Sequence, residues 1–238
     1  MNKAVKKKHI LYNPIEDVEA PSPVSKVISP WNVAEAKVFY GYCVNSFIEN
    51  GDSIALSQII ALSSGLRRGE VLGLKWNNVV FEKNEIRIQN ILDNKKTLQP
   101  RTKTNDSKRT VILPAEVMDL LKIRLRTINI QKKMVGKSYI DNDLVICNEF
   151  GIPYHPDSVY KKLKRKALKL GLKQISFHAL RHTHATLLLE QNVHPRIVSE
   201  RLGHSRVSLT LDTYSHVGSS MQQLAADEIT AVFYENNK

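Results

Sequence analysis

The sequence predicts a mostly helical fold with one small antiparallel sheet. Apolar residues recur at helical spacing along most of the chain, short apolar runs flanked by polar turns cluster between residues 79 and 113, and Gly, Pro or Asn punctuates the segment boundaries. Residues Met1 to about Pro30 read as a leader, because Pro14, Pro21, Pro23 and Pro30 are too many for one helix and Ala20-Pro21-Ser22-Pro23 favours an extended linker. Ser29-Pro30 then offers an N-cap followed by proline at the first helical position, and Val33, Ala36, Val38, Phe39, Tyr42 and Cys43 continue at helical spacing. A second helix covers about Ser53 to Ser64 and stops at Gly65, and a short one runs from Arg68 to Leu74 before Trp76-Asn77-Asn78 turns the chain. Val79-Val80-Phe81 and Glu85 to Gln89 flank Lys83-Asn84 as a hairpin, and Thr110 to Leu113 is a third strand. Pro114 ends that strand and starts a helix to about Lys132, and Leu144 to Cys147 reads as a short apolar strand. The remainder is helical: about Pro156 to Leu170, His178 to Gln191, Pro195 to Leu202, a piece near Ser208, and a tail from about Ser220 to Tyr234.

A chain of 238 residues can bury a full core, and 42% apolar with 24% charged residues argues against wholesale disorder. The charge balance is more informative: 35 Lys and Arg face 23 Asp and Glu, a formal net charge of +12. Such a surface suits a polyanionic partner, because each cation placed on a phosphate releases condensed counterions; a merely solvated basic surface is the bland alternative. No apolar run reaches the roughly 18–20 residues that span a bilayer. The basic start Lys6-Lys7-Lys8 leads into Asn13-Pro14 and acidic residues, and Cys43 and Cys147 lack metal spacing. These features predict buried free thiols in a reducing compartment, the cytoplasm.

The densest chemistry lies in Ser176-Phe177-His178-Ala179-Leu180-Arg181-His182-Thr183-His184. On a helix, His178 shares a face with Arg181 and with His182. A His pair at this spacing can hold a metal, but no Glu stands between the two and no third ligand is evident. A His beside an Arg suits an anionic oxygen instead, the guanidinium donating a planar fork to phosphate. His182 or His184 is equally expected to satisfy interior hydrogen bonds and nothing more. Gly65-Leu66-Arg67 places a second Arg just after a glycine turn, Leu202-Gly203-His204 places another His past a helix end, and Thr213-Tyr214 follows ten residues later. Each piece alone is weak.

Taken together, the order Gly65-Leu66-Arg67, Thr102-Lys103-Thr104, His178-Ala179-Leu180-Arg181, Leu202-Gly203-His204 and Thr213-Tyr214 resembles the tyrosine recombinase (phage integrase) family, over about Pro30 to His216. The run Leu209 to His216 is most similar to integrases of temperate phages and integrative elements. The resemblance implies the catalytic-domain fold of that family for residues 30–216. It makes residues 1–29 a linker and the tail of an absent core-binding domain, and residues 217–238 a C-terminal tail helix. It also implies a site-specific DNA recombinase in which Tyr214 attacks a phosphodiester and forms a covalent 3′-phosphotyrosine with a free 5′-hydroxyl. Arg67 and Arg181 would neutralise the non-bridging oxygens, and Lys103 would protonate the leaving 5′-oxygen, although Lys95, Lys96 and Lys108 flank the same hairpin. His178 would assist proton transfer at the nucleophile, and His204 would hydrogen-bond a non-bridging oxygen. No cofactor, metal or ATP is implied. The partners would be double-stranded DNA at attachment sites and, on that DNA, a homotetramer of chains that are monomers when isolated. Its tail, with Met221, Leu224, Ala225, Ile229, Val232 and Phe233 at helical spacing, would pack on a neighbouring copy or on its own domain. Arg68, Lys161, Lys164 and Arg165 are the candidate DNA-contacting residues; the last three lie on a helix that also carries Lys162, Lys166 and Lys169. A type IB topoisomerase-like enzyme, a non-catalytic DNA-binding regulator and a metal-dependent hydrolase are the alternatives.

Overall fold

The structure, a computed structural model, describes residues 2–14, 18, 30–100, 109–204, 206–208 and 229–230. A short helix α1 (Asn2–Lys6) precedes the first proline, Pro14. The body begins with α2 (Val33–Asn50) and α3 (Ser53–Ser64), and α3 is the hub of the fold. Eleven of its residues are buried, and it packs against α2, α4 (Arg68–Leu72), α5 (Ala115–Val135), α6 (Pro156–Lys169) and α7 (Phe177–Glu190). A helix apolar on all sides is stable only when surrounded, and Ile54, Leu56, Ile59 and Ile60 are each at most 1% exposed. Two of its polar residues are satisfied within the helix, Ser57 and Ser64 donating to the carbonyls of Ile54 and Ile60.

The expected start of α2 at Ser29-Pro30 is corrected. The N-cap is Asn32, whose side chain accepts from Glu35 N at 2.9 Å while Glu35 accepts from Asn32 N at 2.9 Å, a capping box. Trp31 stays outside the helix because it is fully buried, its backbone N–H donating to Thr183 and its indole N–H to the Lys173 carbonyl.

The hairpin and third strand form with shifted bounds: Phe81–Lys83 is a 3-10 turn and not part of the first strand, the second strand ends at Ile88, and the third is Arg109–Ile112. Strands β1 (Val79–Val80), β2 (Glu85–Ile88) and β5 (Arg109–Ile112) form an antiparallel sheet in the order β1-β2-β5, with Val79 opposite Ile86 and Ile86 opposite Val111. Asn84 turns the hairpin in the left-handed conformation at φ 53°, which Asn tolerates better than most residues. The sequence reading missed a second hairpin, β3 (Asn90–Leu92) with β4 (Leu98–Pro100), whose turn is organised by Asp93 accepting from the backbone N–H of Lys95 and Thr97. It lies so close to α4 that a Cβ on Gly73 would sit 2.8–2.9 Å from the backbone of Ile91.

The expected strand at Leu144 to Cys147 is not one: only Leu144 makes a bridge, to Lys75. Its backbone is satisfied by a side chain. Arg124, 1% exposed, donates Nε to the Val145 carbonyl at 3.1 Å and Nη2 to the Cys147 carbonyl at 2.7 Å. Cys43 and Cys147 are buried free thiols. Helix α8 (Pro195–Leu202) closes the described body. Of the expected pieces near Ser208 and in the tail, residues 207–208 and 229–230 are helical and the rest lies outside the described residues. Among the described residues no helix is long and apolar enough to cross a membrane.

Candidate active site

Two chain turns and helix α7 meet at one end of α3. Gly65 caps α3 with φ 69°, and a Cβ there would stand 2.6 Å from side-chain atoms of His184 and of Leu202. The turn must therefore be glycine, and it delivers Arg67 to the N-cap position of α4. From α7, the buried Arg181 reaches across both neighbouring turns, one guanidinium nitrogen donating to the Gly65 carbonyl at 2.9 Å and to the Leu202 carbonyl at 2.8 Å. Each carbonyl lies two residues before a candidate site residue, Arg67 in one case and His204 in the other. Arg181 thus sets the spacing between the two turns.

Electrostatics report the same convergence. Burial, then Arg181 and Arg67, pushes His178 below the usual imidazole range. His204 is lowered to about 4 by burial and by Arg181, Arg67, Arg109 and His178. Burial and the cationic surroundings keep both imidazoles neutral near pH 7. Arg67, His178, Arg181 and His204 therefore share one electropositive neighbourhood. Lys103 and Tyr214 lie outside the described residues.

Two residues the sequence reading missed hold this arrangement. Glu70 is 2% exposed and accepts from the Arg67 backbone N–H at 3.0 Å, from the Arg67 guanidinium at 3.1 Å and from both terminal nitrogens of Arg109 at 3.3 and 2.9 Å. Arg109 also donates Nε to the Arg201 carbonyl at 2.9 Å, tying β5 to the end of α8. The local signal for Glu70 was its place three residues after Arg67, the N3 position of a helix start. Nothing local marks Arg109.

The histidines divide. His184 is 6% exposed and interior, its Nδ1–H donating to the Leu62 carbonyl at 2.7 Å and its Nε2 accepting from Arg201 Nε at 3.1 Å. The carbonyl can only accept, so the tautomer is fixed. His182 sets its ring edge-on to His178, with centroids 4.7 Å apart and planes at 84°.

Helix α6 sorts its cations by face. Lys161, Lys164 and Arg165 are exposed. Lys166 is buried against Asp52 at 3.0 Å and Gln58 at 3.1 Å, and Lys162 pairs with Asp52 at 3.5 Å. Although burial pushes the Asp52 carboxyl up, Lys166 and Lys162 hold it below the usual range. Arg68 donates to Asn94 at 2.8 Å, bridging α4 to the β3–β4 turn. A groove of about 520 Å³ between α2, α3 and α7 contains none of the site arginines and histidines. Among the described residues no group of three or more His, Cys, Asp or Glu could hold a metal ion.

A model of the phage integrase family matches residues 46–221. A tyrosine recombinase XerC-like protein of Caldanaerobacter subterraneus subsp. tengcongensis is 34% identical over 74% of this chain and 48% of its own length. The integrase of Staphylococcus phage L54a is 26% identical over 88% of this chain and 65% of its own length. This chain thus spans about half to two thirds of the length of these relatives. Among solved structures, the Tn1549 transposon integrase in complex with transposon right end DNA superposes with a TM-score of 0.69 at 21% identity, over 94% of this chain and 75% of that one. XerH recombinase bound to a palindromic difH substrate gives 0.62 at 25% identity, over 87% of this chain and 55% of that one.

Proposed function

Because this chain belongs to the phage integrase family, we propose that it is a site-specific recombinase that cuts and rejoins double-stranded DNA through Tyr214. The observation that supports this reading is the buried Arg181, whose bonds to the Gly65 and Leu202 carbonyls tie together the turns that lead to Arg67 and His204, with His178 three residues away on the same helix. A phosphodiester is anionic and repels an anionic nucleophile, so guanidinium groups at its non-bridging oxygens lower the barrier most in the charged transition state. Arg67 and Arg181 supply that charge, and His204 donates a hydrogen bond to the same oxygens.

Tyr214 attacks phosphorus as its phenolic proton passes to the neutral His178. The new O–P bond forms as the P–O5′ bond breaks, and Lys103 protonates the departing 5′-oxygen. A 5′-hydroxyl from a partner strand then attacks the phosphotyrosine in the reverse sense, so the ester bond energy is conserved and the step needs no ATP, metal or cofactor. Catalytic function is assigned to residues 30–216, in the cytoplasm, with exposed Lys161, Lys164 and Arg165 on flanking phosphates. The chain is a monomer when isolated and a homotetramer on attachment-site DNA, where the apolar stripe Met221 to Phe233 packs on a neighbouring copy. Deleting residues after Gly218 then weakens cooperative assembly more than single-site binding.

The test uses a nicked suicide duplex taken from DNA flanking the coding gene. Wild type accumulates a covalent protein–DNA adduct, in EDTA as well, and Tyr214→Phe forms none. Arg181→Lys slows the adduct roughly 10²–10³-fold, the loss typical of one oxyanion donor. An adduct that survives Tyr214→Phe assigns the nucleophile elsewhere.

A further inference from the structure

Beside the cation cluster lies a cavity of about 310 Å³ bounded by Arg68, Tyr160 and Ser176–His178. The geometry points to this cavity as a second phosphate seat, which holds the phosphate next to the scissile one and so fixes which phosphodiester meets the catalytic residues; this rests on the recombinase reading above. His178 is the shared wall, so an anion entering the cavity is an immediate neighbour of whatever His178 touches. A DNA strand presents phosphates in a fixed series, and contacts of this kind set register without reading sequence.

The side chains are of the right kind. Arg67 and Arg68 are consecutive but diverge. Arg67 folds back on Glu70 at 3.1 Å, whereas Arg68 is held at the cavity by Asn94 Oδ1 at 2.8 Å, the Pro156 carbonyl at 3.5 Å and Asp157 Oδ1 at 4.0 Å. Two of these three partners are neutral, and the third is a carboxylate 68% exposed and therefore screened by water. The Arg68 side chain keeps 31% exposure, so an anion can reach it. On the outer side, the Lys164 ammonium lies 5.1 Å from the Tyr160 ring centroid. Arg68 at the cavity and Lys164 on the exposed face of α6 thus place two cations beside the same aromatic wall, Tyr160.

A set of suicide duplexes, each with one phosphate near the cleavage position replaced by a neutral methylphosphonate, tests the seat on the 238-residue chain. Binding is followed by fluorescence anisotropy and cleavage by adduct formation. For wild type, neutralising one flanking phosphate costs roughly tenfold in affinity, the scale of one charge-assisted contact. Arg68→Ala and Arg68→Gln lose a similar factor on unmodified DNA and nothing further on that one duplex. Gln keeps a donor for Asn94, so a loss shared by both variants belongs to the charge. If the losses from variant and methylphosphonate multiply at every position, or if Arg68→Gln binds like wild type, the seat is wrong. Because binding is read separately, wild type that binds without forming an adduct would sink the recombinase reading and still judge the seat.

Discussion

His184 shows how one side chain is denied its usual chemistry. With Nδ1–H committed to the Leu62 carbonyl and the Nε2 lone pair taken by Arg201, a second proton would have to point at a guanidinium. Burial first, and then Arg201, lower its pKa to about 3. The sign follows from linkage: the unfolded imidazole, near 6.5, binds protons that the folded one refuses. Stability is therefore fully present above pH 6.5 and declines as pH falls toward 3. Between pH 6.5 and 5 this single group removes about 1.5 kcal/mol. Chemical denaturation at the two pH values should show that loss, and His184→Gln should flatten the slope; an unchanged slope would place the acid sensitivity elsewhere. Glu70 makes the complementary case. It is buried between two guanidinium groups, and Arg109 is only 9% exposed. Glu70→Ala strands that cation and should cost about 3–5 kcal/mol in urea titration. The sequence displayed His184 and Glu70 plainly but could not say which histidine was interior, because the Leu62 partner is 122 positions away.

Among the elements, α3 decides where the site forms. Its largely apolar surface places it at the centre, and its Gly65 terminus is the point where α4, α7 and α8 are drawn together. Gly65→Ala adds a left-handed penalty of about 1–2 kcal/mol and an atom 2.6 Å from His184 and Leu202. With overpacking, the combined loss is expected near about 2–4 kcal/mol, with adduct formation falling further than stability alone predicts. Preserved activity in a folded Gly65→Ala protein would mean that this turn does not position Arg67. Helix boundaries were largely legible, since caps and glycine stops are local signals: Ser53–Ser64 is as expected, and Pro195–Leu202 likewise. The β3–β4 hairpin was not, because its short strands carry little alternation and its pairing is favoured by the close approach of α4. Residues 144–147 failed for the opposite reason. They have the apolar character of a strand, but Arg124 takes the carbonyls that a neighbouring strand would have bound.

At the scale of the whole molecule, a net charge of +12 predicts that the proposed binding to DNA is steeply salt-dependent. Replacing exposed Lys161, Lys164 and Arg165 together with Ala should reduce the slope of log K against log salt by about 0.9 for each phosphate that is no longer neutralised. The same change at Lys166 should instead destabilise the fold, since its ammonium is the buried partner of Asp52. An unchanged slope in the triple variant would remove α6 from the DNA path.

By itself the sequence determined the ingredients: a basic, mostly helical chain with a three-stranded sheet, and an ordered set of Arg, His and Tyr that belongs to one family. Those features are legible because caps, periodicity and motif spacing are encoded within a few residues. Only the tertiary structure decided which lysines of α6 face inward, that His184 is interior, and that Glu70 and Arg109 brace the cation cluster. Such choices depend on pairings like Arg181 with Gly65, 116 residues apart, whose existence follows from packing and not from any local pattern.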